Sequence, residues 1–204
     1  MPKKLKVPSL ISAIASTSKL EFIDVSYNCI GDKKMANLIY AITNLSGLNH
    51  LLELHAGGNM IRRKACTAMR TLLGHPANKL EALYLDINHI DDVCIDILFG
   101  GLVDHQSMKL INLYRHPCVI AAGWGVFFDM FANSVCSLER ILMRQNNVGD
   151  DGAISLGKSL AAGKCRMKLL HLLNSTSTTQ NMLSGIYTLV VASFERVNWI
   201  GLYS

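Results

Sequence analysis

The sequence predicts an α/β solenoid, a side-by-side stack of parallel strand–turn–helix units. Three observations predict it. An apolar pattern returns about every thirty residues from Leu20 to the end of the 204-residue chain. Within each copy the apolar spacing changes from every second residue to every third or fourth, as when a strand gives way to a helix. Between the two stretches stands a small polar residue, most often Asn.

The elements follow in order. Counted from the leucine that opens a unit, apolar residues fall at +3, +5 and +10 and the small polar residue at +8. Leu20, Ile23, Val25, Asn28 and Ile30 make the first copy. Leu51, Leu54, Ala56, Asn59 and Ile61 make the second; Leu80, Leu83, Leu85, Asn88 and Ile90 the third. The fourth reads Leu110, Leu113, Cys118 and Ile120, with Arg115 breaking the +5 slot. Leu138, Ile141, Met143, Asn146 and Val148 form the fifth; Leu169, Leu172, Asn174, Ser177 and Thr179 a degraded sixth. Val197, Ile200 and Leu202 begin a seventh that the chain end cuts off, and the intervals are 31, 29, 30, 28, 31 and 28.

Each unit carries the same physics. The alternating run is a strand with one buried face. Asn at +8 stands where the chain leaves the strand, and its amide can satisfy backbone groups there, repeated as a ladder. Helical spacing follows, as in Met35, Leu38, Ile39 and Ile42, or Ile154, Leu156 and Leu160. Asp32, Asp92 and Asp150 or Asp151 stand at helix starts, where a carboxylate caps free amides. Residues 1–19 form a basic arm and a partial-unit or capping helix over Pro8–Lys19, and 20–204 the repeat domain.

These units, for example Leu80–Asp92 and Leu138–Leu160, resemble leucine-rich repeats of the ribonuclease-inhibitor type. The resemblance implies a horseshoe of about six repeats plus a partial seventh strand, with a parallel concave sheet and convex helices. The fourth and sixth units depart from the pattern and are expected to be the irregular ones.

Composition excludes several functions. The net charge is +5, from 20 Lys and Arg against 15 Asp and Glu. Lys3, Lys4, Lys6 and Lys19 stand in a terminus without acids, leaving 16 bases against 15 acids elsewhere. A body so nearly neutral argues against nucleic-acid binding. The longest apolar run, Cys118–Phe128, is far short of the ~20 residues of a membrane span, so no membrane role is expected. No secretory leader follows the basic start, and six cysteines without a CxxC pair read as free, mostly buried thiols. The cytoplasm is the expected compartment, with Pro2–Lys6 leaving a nuclear address open.

No catalytic motif, metal-ligand spacing or cofactor motif is present, so no cofactor, metal or enzymatic activity is expected. Residues at +2, +4, +6 and +7 point into the horseshoe instead. His55, Tyr84, Tyr114, His116, Arg140, Arg144, His171, Trp199 and Tyr203 are the candidate partner-binding residues, since aromatic and arginine side chains dominate interface energetics. The face grades from acidic (Asp24, Glu53, Asp86) to basic (Arg140, Arg144). The function expected is a non-enzymatic protein–protein interaction module, or a scaffold subunit of a larger assembly. It binds protein partners through its concave face and an uncapped C-terminal end. The alternative is a small-GTPase regulator, because the repeat type also resembles Ran GTPase-activating proteins. Their long acidic tail is missing, and no arginine here matches a finger motif.

Overall fold

A computed structural model describes residues 5–17, 19–102, 105–133, 137–162, 166–172 and 199–201. Helix α1 (Val7–Ala15) precedes strand β1 (Phe22–Asp24), and α2 (Asp32–Thr43) leads to β2 (Glu53–His55). Then come α3 (Arg63–Leu73), β3 (Ala82–Tyr84), α4 (Asp92–Phe99), β4 (Leu110–Asn112), α5 (Ala121–Asn133) and β5 (Arg140–Leu142). Helix α6 (Gly149–Ala162) and strands β6 (Leu169–His171) and β7 (Trp199–Gly201) complete the described elements. The seven strands form one parallel sheet in chain order, β1 to β7. Strands lie about 4.8 Å apart whereas packed helices need about 8–10 Å, so the stack bends with the sheet inside.

The core lies between sheet and helices. Residues at +3 and +5 (Ile23, Val25, Leu54, Ala56, Leu83, Leu85, Ile141, Met143) are buried, and so are Met35, Leu38, Ile39 and Ile42 of α2. In α6, Leu156 and Leu160 are buried but Ile154 is half exposed, against the sequence reading. Helix α5 carries the aromatic centre of the core. Trp124, Phe127, Phe128 and Phe131 are fully buried, with Phe127 stacked 4.1 Å from Phe99.

The strand register corrects two units. Leu110 pairs with Ala82 and with Arg140, both at +2, so the fourth unit opens at Met108 rather than Leu110. Leu169 likewise pairs with Arg140, so the sixth opens at Met167. Met108 and Met167 are buried, and Ile111 and Leu113 fill the +3 and +5 slots of the fourth. That unit's strand is therefore regular. Arg115 moves to +7, where it is exposed. Its φ of 58° matches Tyr27, Ile87 and Gln145 at the same slot, and Gly58 shares it. The part of the sixth unit read as degraded, including Asn174, Ser177 and Thr179, lies outside the described residues.

The polar ladder forms as the spacing implies. Asn59 is fully buried; its Oδ1 accepts the Asn28 and Ile30 N–H groups of the preceding unit. Its Nδ2 donates to the carbonyls of Val25, Ala56 and Gly57. Asn88 and Asn146 repeat the arrangement one and three units on.

Carboxylates cap helices, but largely those of the next unit. Asp32 accepts the N–H groups of Arg62, Lys64 and Ala65 at the start of α3, and Asp92 that of Ile120 before α5. The equivalent position in the second unit is Arg63, so α4 supplies its own cap through Asp91 and the Cys94 N–H.

Candidate interaction surface

The outward positions of β1–β6 build one continuous face. Phe22, 48% exposed, meets the His55 ring edge-on at 4.8 Å, and His55 lies 3.9 Å from the Tyr84 ring. His55 Nε2 is 3.3 Å from a Glu53 carboxylate oxygen. Burial holds the Tyr84 hydroxyl above its ordinary pKa, Glu53 adds to the rise, and Arg140 opposes it.

The acids of this face are engaged internally. Asp24 accepts the Ser26 N–H at 2.8 Å, which holds its carboxyl below the usual range. Asp86 bridges the face: it accepts the Tyr27 hydroxyl at 2.8 Å and the Asn112 side-chain amide at 3.3 Å. That carboxylate raises the Tyr27 pKa. The crossing explains the Gly57-Gly58 pair, which the sequence offers only as turn residues. A Cβ on Gly57 would stand 2.6 Å from Asp86, and one on Gly58 2.5 Å from the Tyr27 ring.

On the basic side, Arg140 and Arg144 are exposed on β5 and just after it. Tyr114 is half-buried between them and Asp86, its hydroxyl donating to Gln145 at 2.8 Å. His171 is half-buried on β6; burial lowers its pKa and Arg144 lowers it further. Trp199 starts β7, paired with Leu169, and Tyr203 lies outside the described residues. Thus Tyr84, Tyr114, Arg140 and Arg144 share one face, with His55 and His171 at its flanks.

His116 does not belong to it. The corrected register puts His116 in the +8 asparagine slot, where its exposure is 0%. Neither ring nitrogen has a hydrogen-bond partner. Burial pushes its pKa down to about 4; the Leu85 and Asn88 backbone opposes that shift without closing a hydrogen bond. The displaced concave residue is Arg115, which sequence reasoning missed. The one available signal was the absence of Asn eight residues after Leu110.

This substitution of the ladder has a pH consequence. His116 has a folded pKa of about 4 against an unfolded 6.5, so on acidification the unfolded chain takes the proton first. Its contribution to stability therefore falls between those values, by about 3 kcal/mol in total. His116→Asn is expected to remove that component and to add about 1 kcal/mol at neutral pH by restoring the rung. Urea melts across this pH range check both. His105, also lowered by burial and by Lys79, keeps the remaining acid slope of the same sign in the variant.

The thiols divide. Cys66 and Cys94 are buried in matching helical slots, and the Cys66 thiol is pushed up by its hydrogen bond to Cys94 and by burial. Cys29 and Cys118 are exposed, against the mostly buried set expected; Cys136 and Cys165 lie outside the described residues. Among the described residues no helix is long and apolar enough to cross a membrane, and no three His, Cys, Asp or Glu gather as a metal site.

Repeat, sheet and ladder define a class: the chain is a leucine-rich repeat protein. The family model described as Leucine Rich repeat matches residues 18–33 and 136–157. The chain is 27% identical over 170 residues to the mouse (Mus musculus) NACHT, LRR and PYD domains-containing protein 3. The match covers 83% of this chain and 16% of that protein. The Homo sapiens counterpart is 26% identical over 179 residues, covering 87% and 17%. This chain thus spans about one sixth of the length of these curated relatives. Among solved structures it is similar to Leiomodin-1 Actin-Binding Site 2 (ABS2), with TM-score 0.59 and 12% identity, covering 92% of this chain and 88% of that one. That likeness is one of fold.

Proposed function

We propose that this chain is a non-enzymatic protein-interaction module that engages a protein partner on its sheet face and serves as a scaffold within a larger assembly. The observation that carries the reading is the continuous row of aromatic and arginine side chains, from Phe22 through Tyr84 and Tyr114 to Arg144, on the outward side of a regular sheet. Stacked repeats offer extended surface rather than a deep pocket, and such surface suits a protein partner. Two similarities add to it: to part of proteins named for their LRR domains, and to the fold of a structure named as an actin-binding site. The second carries no partner to this chain.

The test is purification of the chain with its partners from the native source, followed by the same purification with Tyr114→Ala and with Arg144→Ala. Each is expected to lose the partner about tenfold or more while the protein stays folded. Retention of the partner by both would end the proposal.

A further inference from the structure

Resting on that reading of the sheet face, we propose that its partner presents an acidic protein segment, received by Arg115, Arg140 and Arg144 across the fourth and fifth units. The backbone brings the three together. Arg140 and Arg144 are four residues apart along β5 and its extension, so both project to the outward side about 13 Å apart. The Arg115 N–H donates to the Arg144 carbonyl at 3.0 Å, which fixes the third arginine alongside the second.

All three are exposed, and among the described residues none of them has an ion pair or side-chain hydrogen bond. Elsewhere on the sheet, charges find their counterparts. Lys109 pairs with Glu81 at 2.8 Å and Lys168 with Glu139 at 2.9 Å, along the row one residue ahead of Arg140. Asp24, Asp86 and Glu53 are occupied by Ser26, by Tyr27 with Asn112, and by His55. The gradient along the face is therefore one-sided: its acids are spoken for, and its guanidinium groups stand open. Guanidinium binds carboxylates through two parallel N–H···O bonds, and half-buried Leu142 and Tyr114 beside it give apolar cover for a polypeptide. Three cations on a nearly neutral body suit a short acidic segment better than a nucleic-acid backbone.

The experiment is fluorescence anisotropy of the full chain with three labelled probes: oligoglutamate, oligolysine and single-stranded oligonucleotide. The proposal expects oligoglutamate to bind, oligolysine not to bind, and the oligonucleotide to bind more weakly than oligoglutamate. Replacing all three arginines by Glu is expected to weaken oligoglutamate binding roughly tenfold or more. Asp24→Asn with Glu53→Gln leaves it unchanged, and circular dichroism shows both variants folded. An unchanged affinity in the arginine variant, or tighter binding of the oligonucleotide, overturns the proposal. If the native partner is lost on Tyr114→Ala but survives the triple reversal, the interaction face stands and the acidic segment alone is wrong.

Discussion

Asn59→Ala is expected to cost about 3 kcal/mol of folding stability, a large effect for one polar side chain in a repeat protein. The amide closes five hydrogen bonds from a fully buried position, but they do not all count equally. The Val25 carbonyl keeps the Asn28 amide, the Ala56 carbonyl keeps Asn88, and the Gly57 carbonyl keeps the Tyr27 N–H. The groups left without a partner are the N–H of Asn28 and of Ile30. An unsatisfied buried donor costs about 1–3 kcal/mol; Ile30 is buried and carries most of the loss, and half-buried Asn28 adds less. Asn28 itself heads the ladder in a half-buried site, and Asn28→Ala is expected to cost about 1 kcal/mol. Urea denaturation of the pair checks the difference; equal losses would show that the ladder does not work by satisfying the preceding unit.

The second large effect is in α5. Phe127→Ala is expected to cost about 4 kcal/mol, since a fully buried ring leaves a cavity its neighbours cannot fill. Phe99, Phe128 and Phe131 lie 4.1, 5.2 and 4.9 Å from its ring and would each lose a ring contact. Half-exposed Tyr40→Ala on α2 is the control, expected to change stability by no more than about 0.5 kcal/mol. The same denaturation measurements report both. A loss below about 1 kcal/mol for Phe127→Ala would mean that α5 is not packed as described.

Most of this architecture was legible because the repeat states it several times over. Strands at Ile23, Leu54, Leu83 and Ile141 were readable from alternation, and the ladder from Asn28, Asn59, Asn88 and Asn146. The fourth and sixth units misled for one physical reason. Leu110 and Leu169 are leucines at +2, where other units carry Phe22, Glu53, Ala82 or Arg140, while the true opening residues are methionines. A leucine pattern selects the wrong apolar residue of the pair. The two-residue slip put His116 on the inner face and Arg115 in the core, the reverse of their places. Inter-unit capping by Asp32 was not legible, because its partners lie a full repeat away and only packing shows which helix start is nearer. The Tyr27–Asp86 bridge across Gly57 and Gly58 is of the same kind, since it joins residues 59 apart.

Under the proposed function the sheet face, rather than the helical side, meets a protein. Photocrosslinking tests it most directly, with p-benzoylphenylalanine placed at Tyr114 on the sheet face and, separately, at exposed Val93 on α4. A discrete protein adduct is expected from position 114 in native extract and none from position 93. An adduct from position 93 with none from position 114 would contradict it.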